Sequence, residues 1–122
     1  RYFQFEDGQC LPKPLQQPLP VLIAANPKPG HADALIREMQ ANAANVHNEA
    51  GCLHYTYHRG IDDPEAIVVI ERWASEAALQ EHAAAPHMAA FSARAQEHRD
   101  APADVVRYEM VPIEGDPAKS HF

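Results

Sequence analysis

The segment from Glu71 to His87 holds side chains suited to chemistry: a glutamate, a tryptophan and two histidines. Histidine takes up a proton near neutral pH because its unperturbed pKa is about 6.5, so His82 and His87 are candidate general bases. Structural interpretations compete with these roles. Trp73 can belong to the core, Glu71 can cap a strand end or form a salt bridge, and a helical histidine usually faces solvent or forms a structural hydrogen bond.

The eight histidines do not predict a metal site. His54 and His58 are four residues apart on a predicted strand, about 13 Å along its axis at ~3.3 Å per residue, which is too far for one ion. His82 and His87 are separated by Pro86 and cannot form the i, i+4 pair of a helical chelate. The sequence also lacks a glycine-rich phosphate loop and a Gly-x-Ser-x-Gly motif, so neither nucleotide binding nor a serine hydrolase is indicated.

A strand followed by a broken helix is predicted to position these side chains. The run Ile67–Ile70 is β-branched without polar interruption, which is typical of a strand buried on both faces. Side chains alternate along a strand, so Glu71 and Trp73 should share one face. Ser75 is expected to cap the helix that follows, and Pro86 should end that helix and begin another.

The whole chain reads as the element order βαββαβ. The remaining predicted elements are strands Val21–Ala25, Cys52–Arg59 and Val105–Val111, a helix over about residues 31–47, and a last helical piece reaching about residue 98. This order is the ferredoxin-like α+β arrangement, with a four-stranded antiparallel sheet covered on one face by helices. Because the Ile67 strand is apolar on both sides, we expect a second copy to cover the other face in an obligate homodimer.

Composition bounds the remaining possibilities. The 122 residues suit one domain, and a net charge of −7 without clustered Lys and Arg argues against nucleic-acid or membrane-surface partners. No apolar run approaches the ~20 residues of a spanning helix, and two cysteines without Cys-x-x-Cys spacing favour a reducing, cytoplasmic location.

Three segments are predicted along the chain. Residues 1–19 should form a proline-rich N-terminal extension, residues 20–113 the ferredoxin-like domain, and residues 114–122 a polar C-terminal tail. Four prolines among residues 12–20 favour polyproline-type backbone in the extension, which we expect to lie over the domain or its partner. A proline-rich recognition ligand is the sharper alternative for this segment.

Several motifs occur in a characteristic order. They are Pro29-Gly30, Glu49-Ala50-Gly51-Cys52 with Tyr55, Asp62-Asp63-Pro64, Ile70-Glu71-Arg72-Trp73, Leu79-x-x-His82, Pro86-His87-Met88 and Phe91. Over about residues 20–112 the chain thereby resembles the antibiotic biosynthesis monooxygenase family, and within it the bacterial quinol monooxygenases.

This resemblance implies a dimeric α/β barrel that oxidises a quinol or a polycyclic phenol with O₂ and no metal or organic cofactor. A deprotonated dihydroxy-aromatic substrate can itself pass an electron to O₂, so the protein need only bind the ring, accept the proton and stabilise the anion. His82 or His87 is the implied base, with His82 preferred because the turn after the Trp73 strand carries it back over the sheet. The implied substrate-binding residues are Asn26, Tyr55, Glu71, Trp73, Met88 and Phe91.

Other functions on the same fold remain open. A haem-degrading monooxygenase would use Asn, Trp and His around a haem cavity, which Asn26 and Trp73 would suit. The run from His82 to His87, His-x-x-x-Pro-His, also occurs in isomerases of small carbonyl compounds. From a different class, the chain can be a non-catalytic small-ligand-binding or stress-response barrel.

Overall fold

The computed structural model describes residues 2–4, 10–12 and 18–120. The elements are β1 (Tyr2–Gln4), β2 (Cys10–Pro12), β3 (Leu19–Ala25), α1 (Ala32–His47), β4 (Cys52–Arg59), β5 (Ile67–Trp73), α2 (Glu76–Ala84), α3 (Pro86–Ala95) and β6 (Asp104–Arg107). Single turns of 3₁₀ helix cover Gln96–His98 and Pro117–Lys119. From β3 onward the order is the predicted βαββαβ.

The main sheet has four strands in the order β4-β5-β3-β6, and all neighbouring strands are antiparallel. This arrangement confirms the α+β, ferredoxin-like fold. The register pairs Val21 on β3 with Glu71 on β5, and Tyr55 on β4 with the same Glu71. Three strands therefore bring these side chains to one place on the sheet.

The core lies between this sheet and the helices. Ile67, Val69, Glu71 and Trp73 are buried, while the residues between them on β5 are half-buried. The α1 side chains Leu35, Met39 and Val46 complete the same hydrophobic cluster. The predicted face of β5 is thus the face that the helices cover.

The opposite face of the sheet carries Leu22, Val68 and Ile70, which are half-buried although the helices pack on the other side. A row of polar side chains borders it on β4, where Thr56 Oγ1 lies 2.9 Å from His54 Nε2 and 2.8 Å from His58 Nε2. This apolar face is the surface that the expected homodimer would bury, and the dimer stays a prediction.

The edges of the predicted elements differ from the structure at both ends of the domain. The first strand of the sheet begins at Leu19 and includes Pro20, two residues earlier than expected. The Pro20 carbonyl accepts the Tyr108 N–H at 2.8 Å. In a strand the N–H and C=O of one residue point to the same side, so the N–H that Pro20 lacks would have pointed just beyond the end of β6, where no ladder bond is lost. The last strand is only Asp104–Arg107, shorter than the predicted Val105–Val111.

The N-terminal segment also differs from expectation where it is described. Strands β1 and β2 pair with each other in antiparallel register, so residues 2–4 and 10–12 form a ladder instead of polyproline-type backbone. The prediction for Pro14 lies outside the described residues. Within the described part of the chain, no helix has both the length and the apolar character needed to cross a membrane.

Candidate functional site

A small cavity of about 150 Å³ lies between the sheet and helices α1 and α3. Its walls are mainly apolar: Ile23, Ala25, Leu35, Met39, Val69, Met88, Phe91 and Ala103, with Tyr55, Glu71, Ser92 and Arg99 as the polar members. Four of the residues predicted to bind substrate therefore meet in one cavity. They are Tyr55, Glu71, Met88 and Phe91.

Glu71 is a carboxylic acid with an unusual environment. It is 1% exposed, and its Oε1 accepts the Trp73 Nε1–H at 2.8 Å. Its Oε2 is buried and has no hydrogen-bond partner among the described residues. Burial raises the pKa of Glu71 to about 7, although the Trp73 hydrogen bond lowers it and the charge of Glu49 raises it further. Near neutral pH this carboxyl group can therefore both accept and release a proton.

Tyr55 lies opposite Glu71 on the neighbouring strand and stays a neutral phenol. Burial raises its pKa far above the ordinary value. Its ring contacts that of Tyr57 edge-on at 5.3 Å, and the Tyr57 hydroxyl donates to the Met39 carbonyl at 2.8 Å. This contact holds the tyrosine pair against α1.

The two predicted histidines lie next to the cavity wall and are not among the residues that line it. His82 is 4% exposed and packs against the Trp73 indole with ring centroids 4.4 Å apart and planes 31° apart. Both histidines share one carboxylate oxygen: His82 Nδ1 lies 2.8 Å and His87 Nε2 3.1 Å from Glu49 Oε2. A chain of contacts thus runs from Glu49 through His82 and Trp73 to Glu71.

His87 has an acceptor on each side of its ring. Its Nε2 faces Glu49, and its Nδ1 lies 3.2 Å from the Oδ1 of Asn42. The orientation of Asn42 follows from its other contacts, because its Nδ2 donates to Met88 Sδ and its Oδ1 accepts from Asn45 Nδ2. Both ring nitrogens of His87 therefore lie within hydrogen-bond distance of a side-chain oxygen.

The loop after α1 places Glu49 beneath the histidines. This loop runs close to α2, because a Cβ added at Gly51 would lie 2.3 Å from the Ala78 Cβ. The Gly51 carbonyl also accepts the Ala74 N–H at 2.9 Å, which joins the loop to the end of β5. Glycine is therefore the residue that lets the Glu49 loop and the His82 helix approach each other.

Asn26 lies elsewhere. Its Nδ2 donates to the Pro102 carbonyl at 2.8 Å and to Asp104 Oδ2 at 3.1 Å, so its amide joins the end of β3 to the segment before β6. It lines an open groove on the far side of Ala25, away from Glu71. The structure does not bring Asn26 together with the other predicted site residues.

Three residues near the cavity were not predicted as site residues from the sequence: Glu49, Asn42 and Arg99. Glu49 belongs to the Glu49-Ala50-Gly51-Cys52 motif, and that membership was the available signal for it. Asn42 is 2% exposed within the apolar stripe of α1, a position where a polar residue needs partners. Arg99 follows α3 at the outer end of the cavity, and no pattern in the sequence marks it.

No group of three or more His, Cys, Asp or Glu side chains suited to a metal ion occurs in the part of the chain that the structure describes. The cavity instead presents one carboxyl group, one phenol and one guanidinium around an apolar space. Such a site can bind a small aromatic molecule and move a proton.

The fold and this cavity define a ferredoxin-like domain with a cavity between sheet and helices. The model of the family described as "Antibiotic biosynthesis monooxygenase" matches residues 18–94. The chain belongs to the antibiotic biosynthesis monooxygenase family, as its motifs predicted.

Individual relatives agree with this assignment. A Bacillus subtilis (strain 168) protein named "Putative monooxygenase YcnE" is 30% identical over 83 residues, covering 68% of this chain and 87% of the relative. The crystal structure of PA3566 from Pseudomonas aeruginosa has a TM-score of 0.72 at 32% identity and covers 78% of this chain and 95% of the other. Rv0793 from Mycobacterium tuberculosis has a TM-score of 0.70 at 27% identity, covering 81% and 98%. Family and relatives support a monooxygenase-type function.

Proposed function

We propose that the protein oxidises a quinol with O₂ in the cavity between sheet and helices, without a metal or an organic cofactor. The observation that carries the proposal is Glu71, a buried carboxyl group in the lining of an apolar cavity, whose Oε2 has no hydrogen-bond partner among the described residues. An aromatic ring suits the apolar walls, and a ring hydroxyl suits this oxygen.

The reaction balances without an external reductant. The substrate O–H bond breaks and its proton passes to Glu71, which leaves an electron-rich anion. One electron then passes from the anion to O₂, and the two radicals combine in a C–O bond. When the O–O bond breaks, one oxygen atom stays on the ring and the other leaves as water. In sum, a hydroquinone and O₂ give a hydroxyquinone and water, with all four electrons supplied by the substrate.

Glu71 is the best-placed base because it lines the cavity. Its pKa near 7 matches the working range of a general base. Tyr55 stays protonated, and its single O–H, which donates to the Tyr57 oxygen, would have to turn from Tyr57 to stabilise the developing oxyanion. On this geometry Trp73 and His82 are positioning residues: the indole N–H fixes Oε1 of Glu71, and the imidazole packs against the indole. The base role predicted for His82 and His87 is tested by replacing each of them by alanine.

The cavity volume favours a quinol over haem. A cavity of about 150 Å³ is the size that accommodates one benzene ring, and a porphyrin is several times larger. Asn26 also lies apart from Trp73, so the pair that suggested a haem cavity does not surround a common space.

Oxygen consumption by chelator-treated protein tests the proposal. With a panel of one-ring quinols under ¹⁸O₂, we expect one ¹⁸O atom in each product molecule, the second in water, and no accumulation of hydrogen peroxide. Glu71→Gln should lower turnover by about 10²-fold or more, the usual contribution of a general base. Glu81→Gln is the matched control, because Glu81 is exposed on α2.

Two outcomes would contradict the proposal. Peroxide formed in place of an oxygenated product would show a simple oxidase or uncatalysed autoxidation. Wild-type turnover in Glu71→Gln would remove Glu71 as the base, and the His82 and His87 variants would then decide whether a histidine takes the proton.

A further inference from the structure

Arg99 lies at the outer end of the cavity that Glu71 closes at its inner end. Both side chains line the same space. The sheet register separates their backbone positions, because Glu71 pairs with Val21 while Arg99 bridges to Pro27, about 20 Å further along the chain at ~3.3 Å per residue. Glu71 and Arg99 thus both contribute to the lining of this cavity, and Arg99 also borders the open groove beside it.

The Arg99 guanidinium retains donors for a ligand. Within the described residues its side chain bonds only to Ser92, with NH2 3.3 Å from the carbonyl and 3.1 Å from Oγ. The surface arginines Arg59, Arg94 and Arg107 each pair with a carboxylate instead. Asp100 follows Arg99 and lines the neighbouring open groove together with it, and among the described residues no ion pair joins their side chains. A guanidinium offers five donors in a planar fork, so most of its capacity is left for an anion.

The space between these groups limits the ligand to about one ring. A cavity near 150 Å³ accommodates a benzene-sized molecule, and Leu35, Met39 and Phe91 provide apolar contacts on its helical side. A ring that filled it would have one edge near Glu71 and the opposite edge near Arg99.

From this arrangement we infer that the preferred substrate is a one-ring hydroquinone bearing a carboxylate, with a ring hydroxyl at Glu71 and the carboxylate at Arg99. The inference rests on the proposed function and specifies its substrate class. A carboxylate at the inner end would face Glu71 and be repelled, so the charge pattern also fixes the orientation of the ring. The bidentate match between guanidinium and carboxylate favours this anion, since two parallel N–H···O bonds fix the ring as well as bind it.

Two pairs of probe molecules measure how much the carboxylate contributes to recognition, separately from the ring. Gentisate and its neutral amide are quinols of nearly equal size that differ in charge, and their kcat/KM ratio measures the preference for the acid. The second pair, para-hydroxybenzoate and para-hydroxybenzamide, lacks the second ring hydroxyl that makes a quinol and reports binding through the fluorescence of Trp73, the single tryptophan.

We expect gentisate to exceed its amide in kcat/KM by about 10-fold or more in the wild type, because hydrogen bonds to charged groups contribute about 1.5–3 kcal/mol. Arg99→Gln should lower this ratio by about 10- to 100-fold, and Arg99→Lys should keep part of it because the charge remains. Arg94→Gln is the matched control, since Arg94 pairs with Glu38 outside the cavity and should leave the ratio unchanged.

The outcomes distinguish this inference from the proposed function. If quinols are oxygenated but the wild type shows no preference for the acid, or Arg99→Gln keeps the preference, the inference is wrong and the oxygenase proposal stands. If no quinol is oxygenated but para-hydroxybenzoate binds better than its amide and loses that advantage in Arg99→Gln, the acid site stands and the oxygenase proposal fails. A higher kcat/KM for a two-ring naphthohydroquinone than for gentisate would overturn the size limit.

Discussion

Replacing Glu71 by glutamine should change how the stability of the protein depends on pH. Gln keeps the volume of the side chain and can accept the Trp73 N–H, but it cannot ionise. The wild-type carboxyl group has an ordinary pKa of 4.5 when unfolded and a pKa of about 7 when buried in the fold. The folded state therefore holds the proton more tightly than the unfolded chain.

The sign and size of the effect follow from these two values. Below pH 4.5 the group is protonated in both states and carries no penalty. As pH rises toward 7 the unfolded chain loses the proton first, so the free energy of unfolding falls, and the full penalty is present above pH 7. A pKa difference of 2.5, from 4.5 to about 7, corresponds to about 3 kcal/mol.

Urea unfolding of both proteins between pH 4 and pH 8 measures the effect. At a fixed protomer concentration, we expect the free energy of unfolding of Glu71→Gln to rise relative to wild type by about 3 kcal/mol across this range. The difference between the two free energies of unfolding removes the contribution of the eight histidines to the pH dependence, because both proteins contain them. Glu81→Gln should follow the wild type. Parallel curves for wild type and Glu71→Gln would show that the buried carboxyl group has an ordinary pKa, and the assignment of Glu71 as base would lose its support.

Three further predictions concern the surroundings of the site. His82→Ala should lower the free energy of unfolding, measured in urea, by about 1–3 kcal/mol. If His82 positions Trp73, the kcat/KM of this variant should fall but should still rise with pH near 7. Loss of that pH dependence would instead identify His82 as the base. Gly51→Ala should lower the melting temperature, because overpacking costs about 1–3 kcal/mol, and adding Ala78→Gly should restore part of it; no change in the single variant would contradict the close packing. Ile70→Asp should convert the expected dimer to monomer or insoluble protein, and light scattering that gives a stable wild-type monomer at micromolar concentration would refute the obligate homodimer.

The parts of the fold that follow from local physics were predictable. Alternation along β5 put Glu71 and Trp73 on one face, and their side chains do meet in a hydrogen bond. Ser75 caps α2 as expected, with its Oγ accepting the Ala78 N–H at 3.0 Å, and Pro86 stands at the first position of α3. These features depend on neighbouring residues, whose types the sequence states directly.

The candidate site was predictable only in part, because its geometry depends on how distant segments pack. Sequence patterns favoured His82 as a residue facing the cavity, but it packs against the Trp73 indole and is not among the residues that line the cavity. Glu49 meets His82 across 33 positions of sequence, and Arg99 reaches the cavity from an irregular segment after α3. No local pattern encodes either approach. The end of β6 also depends on a distant segment, because β6 continues only as far as the β3 backbone provides hydrogen-bond partners for it.

A purely structural role for Glu71 would not require a carboxylic acid. If Glu71 served only to accept the Trp73 N–H, glutamine would provide the same acceptor without a charge to bury. The carboxyl group leaves Oε2 unpartnered among the described residues, and burial raises its pKa because the charged form is poorly solvated there. Buried polar groups in native proteins nearly always have partners, and an acid with a perturbed pKa in a cavity is a candidate functional group. Proton transfer is the property that glutamine cannot supply, so a Glu71→Gln variant that is more stable at pH 8 and less active at the same pH would separate the two roles in one protein.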